Sequence, residues 1–287
     1  MSYLDDIKKA IETFPDFPVA SQRIIQIVSN LVIDYSELEE ALRYDPGLTA
    51  NILRLANSAQ FGGGRRDIDS LHGAFVLLGQ RRILELVMTN VAYKLLDVQL
   101  EGYQLRHEDF LKHSIWVAVA SEQFAQALKF KTKETLFTAG LLHDIGKVVM
   151  DPFLVKEQQA LEDVAAQQNE VSFEKKEKAV FGINHPEAGG MLFDYWNLPE
   201  EIASAIRYHH SPEEADKHQQ VVNIVHVADM LAYVESIGIG IEGVHYHVSD
   251  SAFEQMGIDE DTLEYVASQS VGKMKEILNL LENEKPK

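Results

Sequence analysis

Asp45-Pro-Gly-Leu-Thr-Ala-Asn-Ile-Leu-Arg-Leu-Ala-Asn-Ser-Ala59, followed by Gly62-Gly63-Gly64, is the stretch from which the fold class is read. Leu48, Ile52, Leu55 and Ala59 recur at steps of three and four residues, which places them on one face of an α-helix. Asp45-Pro46 closes the helix before it, and the glycine triplet ends the pattern. Upstream, Ser36-Glu-Leu-Glu39 has the form of a capping box, so a helix is expected from there through Arg43. Downstream, helices are expected over Ser70 to Leu78, Arg81 to Leu96, Glu108 to Leu128, Glu134 to Val149 and Leu154 to Gln168. More follow over Pro186 to Phe193, Glu200 to Tyr208, Val221 to Val234 and Asp261 to Leu281, with Pro199 suited to a first helical turn. Val244 to Ser249 is ambiguous, and no other run has the alternation of a strand. The chain reads as all-α.

Its 287 residues allow one large domain or two packed lobes. With 46% hydrophobic and 25% charged residues, the composition is that of an ordinary globular chain. Asp97 to His107 reads as a polar connection, which divides the chain into lobes at 1–103 and 104–287, the last few residues fraying. No apolar run approaches the roughly 18 residues of a membrane span, so no membrane insertion is expected. The formal net charge of −19 repels nucleic-acid backbones, so generic nucleic-acid binding is not expected either. The short basic groups Arg65-Arg66, Arg81-Arg82 and Lys129 to Lys133 are read as solvated surface. The absence of cysteine excludes disulfides, thiolate metal sites and cysteine nucleophiles. The start, Met-Ser-Tyr-Leu-Asp-Asp, has no signal-peptide character, and a cytoplasmic location is expected.

Chemistry concentrates in Ala139-Gly-Leu-Leu-His-Asp-Ile-Gly-Lys147, where an apolar helix presents His143 and Asp144 side by side. Adjacent helical residues lie about 100° apart, so both side chains can approach the same ion. Lys147 follows one turn after His143, where its ammonium can meet a phosphate or pair with an acid. Further ligand types stand on other expected helices: His113, His185 at a helix start, His209-His210 at a helix end, and Asp229. Imidazole and carboxylate suit iron, manganese, zinc or nickel, and their convergence would hold one or two divalent ions. Such ions activate water and neutralise phosphoryl oxygens.

The order His113, His143-Asp144, Asp229 resembles the signature of HD-superfamily metal-dependent phosphohydrolases, and His185 with His209-His210 resembles the extra ligands of the HD-GYP branch, which degrades cyclic di-GMP. That branch's Gly-Tyr-Pro loop is missing, because Ser-Pro-Glu-Glu-Ala-Asp216 follows His210. Phe14-Pro-Asp-Phe-Pro18, Tyr44 to Ala50, Asn51 to Ala59 and Ala74-Phe-Val-Leu-Leu-Gly79 are similar to the HDOD domain, an HD-related output domain of bacterial signalling proteins. The resemblance runs from about Phe14 to about Leu231. It implies two packed helical lobes, the C-terminal one HD-domain-like, and a bacterial cytoplasmic setting downstream of a response regulator or histidine kinase. Many members have lost ligands and serve as regulatory modules, whereas this chain keeps a near-complete set.

Two functions follow. One is a signalling output module that acts through protein–protein interaction and retains a divalent-metal site. The alternative is a metal-dependent phosphohydrolase acting on a nucleotide or cyclic dinucleotide, with Asp144 and Lys147 as its catalytic residues. His72, His107, His218, His226, His245 and His247 match no family ligand position and are read as structural. Asn51, Arg54, Asn57 and Ser58 are read as pinning the contact between the lobes or the glycine loop that follows. Gly238-Ile-Gly-Ile-Glu-Gly243 has dinucleotide-fingerprint spacing but follows an expected helix rather than a strand, and Gly62 to Gly64 lack a following Lys-Ser/Thr. Both are set aside.

Overall fold

The computed structural model describes residues 2–17, 22–23, 40, 42, 46–57, 68–130, 133–167, 171–241 and 248–282. The Ser36 capping box, Ser58, Ala59, the glycine triplet, Arg65-Arg66, His245, His247 and most of Val244 to Ser249 lie outside the described residues. Helices account for the architecture, and among the described residues the only β pairing is an isolated bridge between Leu100 and Leu105. The all-α reading is therefore correct.

The helices are α1 (Tyr3–Glu12), α2 (Pro46–Ala56), α3 (Leu71–Leu96), α4 (His107–Ala127), α5 (Lys133–Leu142), α6 (Ile145–Lys156) and α7 (Gln158–Gln167). They continue with α8 (Phe173–Phe181), α9 (His185–Tyr195), α10 (Glu200–Tyr208), α11 (Gln219–Val234), α12 (Asp250–Met256) and α13 (Glu260–Glu282). A short 3-10 turn, Pro212–Glu214, precedes α11. The chain forms two compact units, Asp16–Val91 on one hand and Met1–Pro15 with Ala92–Lys287 on the other.

In the smaller unit, Leu48, Ile52 and Leu55 of α2 are buried, as their spacing requires. Asn57 donates to the carbonyls of Leu53 and Ile68 and accepts from the Ile68 amide, so it ties the end of α2 to the backbone at Ile68. Helix α3 breaks at Gly79, where two separate helices are expected. Arg81 and Arg82 are not simply solvated: both reach the buried Glu85, at 3.3 and 2.7 Å.

The larger unit is built around α4, which is buried from Phe110 to Ala125 apart from Lys112. Helices α5, α11 and α13 pack against it, and α9 packs on α6 and α10. Three features depart from expectation. Helices α1, α8 and α12 were not anticipated. The expected helix from Glu134 to Val149 is two helices, α5 and α6, with His143 and Asp144 at the break. Asp144 has φ −96° and ψ 8°, outside helical values. The turn brings the backbone of Gly146 against the start of α9, where a Cβ would stand 1.9 Å from the His185 carbonyl oxygen. Finally, the "polar connection" from Asp97 to His107 is a packed turn with Leu100, Tyr103 and Leu105 buried. Asp151 fixes it by accepting from the Gly102 amide at 2.8 Å.

Candidate metal centre

Five helices or helix ends of the larger unit deliver the expected residues to one place. His113 comes from the first half of α4, His143 and Asp144 from the α5–α6 break, and His185 from the first residue of α9. His209 and His210 follow the end of α10, and Asp229 lies in the middle of α11. The start of α9 is fixed by a capping box: Asn184 Oδ1 accepts from the Glu187 amide, and Glu187 accepts from the Asn184 amide. Candidate donor atoms lie within 4.8 Å of one another in three overlapping groups, His113–His143–Asp144, His143–His209–Asp229 and His185–His209–His210.

Asp144 stands between the two sides of the cluster. Its Oδ2 is 3.2 Å from His143 Nε2 and 3.6 Å from His113 Nε2, while its Oδ1 is 3.4 Å from His185 Nε2 and 3.6 Å from His209 Nε2. Asp229 Oδ1 is 3.0 Å from His113 Nε2 and 3.6 Å from His143 Nε2, and its Oδ2 is 3.9 Å from His210 Nδ1. Lys147 donates to Asp144 Oδ2 at 2.7 Å, and its ammonium sits 5.7 Å from the centre of the Tyr103 ring. The structure thus places this lysine in a buried ion pair.

The orientation of the rings is set from outside the cluster. Nδ1 of His113 is 3.0 Å from the Ile237 carbonyl, Nδ1 of His143 is 2.7 Å from the Gly140 carbonyl, and Nδ1 of His209 is 2.7 Å from the Ile206 carbonyl. Nδ1 of His185 is 2.7 Å from Glu177 Oε2. A carbonyl or carboxylate can only accept, so each Nδ1 carries the proton and, in a neutral ring, Nε2 keeps the lone pair. Nε2 of His113, His143, His185 and His209, together with Asp144 Oδ1, is buried without a hydrogen bond. With neutral rings these atoms are acceptors facing other acceptors, and an unmet buried polar atom costs about 1–3 kcal/mol. A divalent ion removes that cost, because imidazole Nε2 and carboxylate oxygen are its natural donors.

Charge leads to the same conclusion. Asp144, Asp229 and Glu177 set three carboxylates against one ammonium, that of Lys147, which leaves an excess equal to the charge on one divalent ion when the imidazoles are neutral. Without an ion, protons fill that role. Burial works against a charged His143 ring, yet Asp144 and Asp229 outweigh it and hold the ring up to about 10. Burial is likewise overcome at His185, where Glu177 and Asp144 raise it to about 9. Burial prevails at His209, lowered to about 4, and at His210, held well below its ordinary value with the help of its histidine neighbours. Asp144 and Asp229 stay well below the usual carboxylate range: burial opposes this, and His143 with Lys147, or His113 with His143, overcomes it.

Glu177 and the packing role of Gly238 escaped sequence reading. Glu177 is fully buried and accepts from both Nδ1 and the backbone amide of His185. Ser172 and Gly182, a helix start and a left-handed helix end around Phe173–Phe181, were the signal that could have revealed its helix. His226, read as structural, is so: its Nδ1 donates to the His209 carbonyl, and its Nε2 accepts from the Ser249 amide. Gly238, set aside with its fingerprint, has φ +61°, and a Cβ there would stand 2.2 Å from the Asp109 carbonyl and 2.7 Å from His113 Cβ. Its role is close packing against the helix that carries His113.

Fold and site together define an all-helical protein organised around a buried histidine–carboxylate cluster suited to divalent ions. The chain belongs to the HDOD domain family, whose model matches residues 14–212. That span includes every candidate ligand except Asp229. An HDOD domain protein of unknown function from Geobacter sulfurreducens has a similar structure, with a TM-score of 0.67, 25% identity, and 97% of this chain and 94% of that one covered. A candidate signal transduction protein from Marinobacter aquaeolei VT8 shares the fold at a TM-score of 0.74 and 20% identity, over 98% of this chain and 65% of that one. So does a candidate metal-dependent phosphohydrolase from Shewanella amazonensis SB2B, at 0.53 and 18%, over 93% and 96%. An uncharacterized protein of Treponema pallidum is 26% identical over 231 residues, and the match covers 78% of this chain and 43% of that protein's length.

Proposed function

We propose that this chain is a regulatory output module of bacterial signal transduction, acting through protein–protein interaction, with a divalent-metal centre in its larger helical unit. The observation that carries the metal is the set of four buried imidazole Nε2 atoms, oriented by their Nδ1 partners and lacking hydrogen bonds. The ligands are His113, His143, Asp144, His185, His209, His210 and Asp229, and the ions in question are iron, manganese, zinc or nickel. Membership of the HDOD family supports the output role, and so does the fold shared with the Marinobacter protein. The burial of the cluster supports it too: His210, at 9%, is the most exposed member, which suits an ion that organises a fold better than one that meets a substrate. The partner is a response regulator or histidine kinase in the cytoplasm.

When bound, such an ion supplies a Lewis acid and an activated water. Within the chain, Lys147 holds Asp144 Oδ2 and so fixes the carboxylate that stands between the two sides of the cluster. This arrangement favours a second reading, hydrolysis of a nucleotide or cyclic-dinucleotide phosphoester with Asp144 and Lys147 as its catalytic residues. The phosphohydrolase name carried by the Shewanella protein agrees with it. The two readings separate when the metal-loaded full chain and Asp144→Asn are assayed for phosphodiester hydrolysis and for binding to response regulators. The output reading predicts no turnover above the blank and equal partner binding by both forms. Metal-dependent turnover that vanishes in Asp144→Asn would replace it with the second reading.

A further inference from the structure

Glu177 is fully buried, and among the described residues His185 is the one member of the cluster to which it is hydrogen-bonded. Its Oε2 is 2.7 Å from His185 Nδ1 and 3.0 Å from the His185 backbone nitrogen. Its Oε1 accepts the hydroxyl of Tyr103. Tyr103 is itself held: its carbonyl accepts from the Ile241 amide at 3.1 Å, its neighbour Gly102 is tied to Asp151, and its ring meets His185 edge-on at 6.0 Å. At His113, His143 and His209 a backbone carbonyl faces Nδ1, which helix geometry or a nearby loop provides without any particular side chain. His185 begins α9, so no preceding turn of its own helix supplies such a carbonyl. A carboxylate from α8 takes that place.

We propose that Glu177 is a positioning residue for His185, and that Tyr103 steadies Glu177, so that the 97–106 turn and helix α8 together aim one metal ligand. This rests on the metal reading given above. The carboxylate accepts the Nδ1 proton, excludes the other tautomer, and turns Nε2 toward Asp144 Oδ1. Its second bond, to the His185 amide, fixes the backbone from which the ring projects.

The test is calorimetric titration of the metal-free full chain with Zn²⁺, comparing wild type with Glu177→Gln, Tyr103→Phe and His185→Ala, beside urea unfolding of each metal-free form. Removing an outer partner of a ligating histidine typically costs about 10- to 100-fold in affinity. Glu177→Gln is expected to weaken by that factor the ion whose binding His185→Ala abolishes, and Tyr103→Phe to weaken it less. If Glu177 only stabilises the fold, Glu177→Gln will move the urea midpoint and leave Zn²⁺ affinity at the wild-type value, and that result overturns the proposal while the metal reading stands. If wild type takes up neither Zn²⁺ nor, in the same titration, Fe²⁺, Mn²⁺ or Ni²⁺, the metal reading falls and this proposal with it. Should Glu177→Gln fail to fold, Tyr103→Phe decides: wild-type affinity in that variant overturns the relay from Tyr103 through Glu177.

Discussion

At His143, burial and charge oppose each other, and the outcome sets how the centre responds to pH. Its ring is held up to about 10, and that of His185 to about 9, against about 6.5 in an unfolded chain. A raised value means that the protonated rings stabilise the metal-free fold fully below about pH 6.5, and that this contribution is lost as pH rises through 9 and 10. An incoming ion must displace those protons. Metal affinity is therefore expected to rise with pH between about 6.5 and 9, with protons released on binding, as read by calorimetry in buffers of different ionisation enthalpy. Uptake without proton release would contradict this. Gly146 is the other sensitive residue: a Cβ there meets the His185 carbonyl at 1.9 Å and the Gly189 amide nitrogen at 2.7 Å, both backbone atoms. Gly146→Ala is expected to cost about 3 kcal/mol, seen in urea unfolding, and to weaken metal binding as α9 is displaced. Residue types made the ligands legible, since imidazole and carboxylate are the only strong donors in a chain without cysteine. The residues that orient them were not legible, because a buried glutamate such as Glu177 looks in sequence like any charged position on a helix surface.

At the scale of elements, the centre depends on where helices start and stop. His143 and Asp144 lie in the break between α5 and α6, His185 opens α9, and His209-His210 follow α10. Sequence periodicity located α9 and α10 closely because each has an apolar face bounded by a cap or a proline. It ran α5 and α6 together because nothing in Leu-Leu-His-Asp-Ile-Gly breaks an apolar pattern; the close approach of another helix imposes the turn. It took Asp97 to His107 for a polar connection because acids and glutamines surround Leu100, Tyr103 and Leu105, which are buried. The Asn184 cap is testable at this scale. Asn184→Ala removes the acceptor for the Glu187 amide and should cost about 1 kcal/mol in chemical denaturation. It should also loosen His185, so that Zn²⁺ affinity falls; an unchanged affinity would show that the capping box does not govern the ligand.

Across the whole molecule, the fold class was legible because helical spacing recurs through most of the chain, and the HDOD resemblance was legible because its motifs stand in order over most of its length. The convergence of α4, α9, α10 and α11 on one cluster was not readable from spacing, since it is set by long-range packing. A ligand that binds only the folded state stabilises it by about 2.7 kcal/mol at a hundred times its Kd. The loaded protein should therefore melt at a higher temperature than the chelator-treated one, and the difference should shrink in Asp144→Asn. The most direct test is elemental analysis of the full chain purified without chelator, beside Asp144→Ala and Asp144→Asn. The account predicts one or two equivalents of iron, manganese, zinc or nickel in the wild-type protein and their loss in both variants. Wild-type protein that is metal-free and also fails to load on reconstitution, or variants that keep the wild-type metal content, would contradict it.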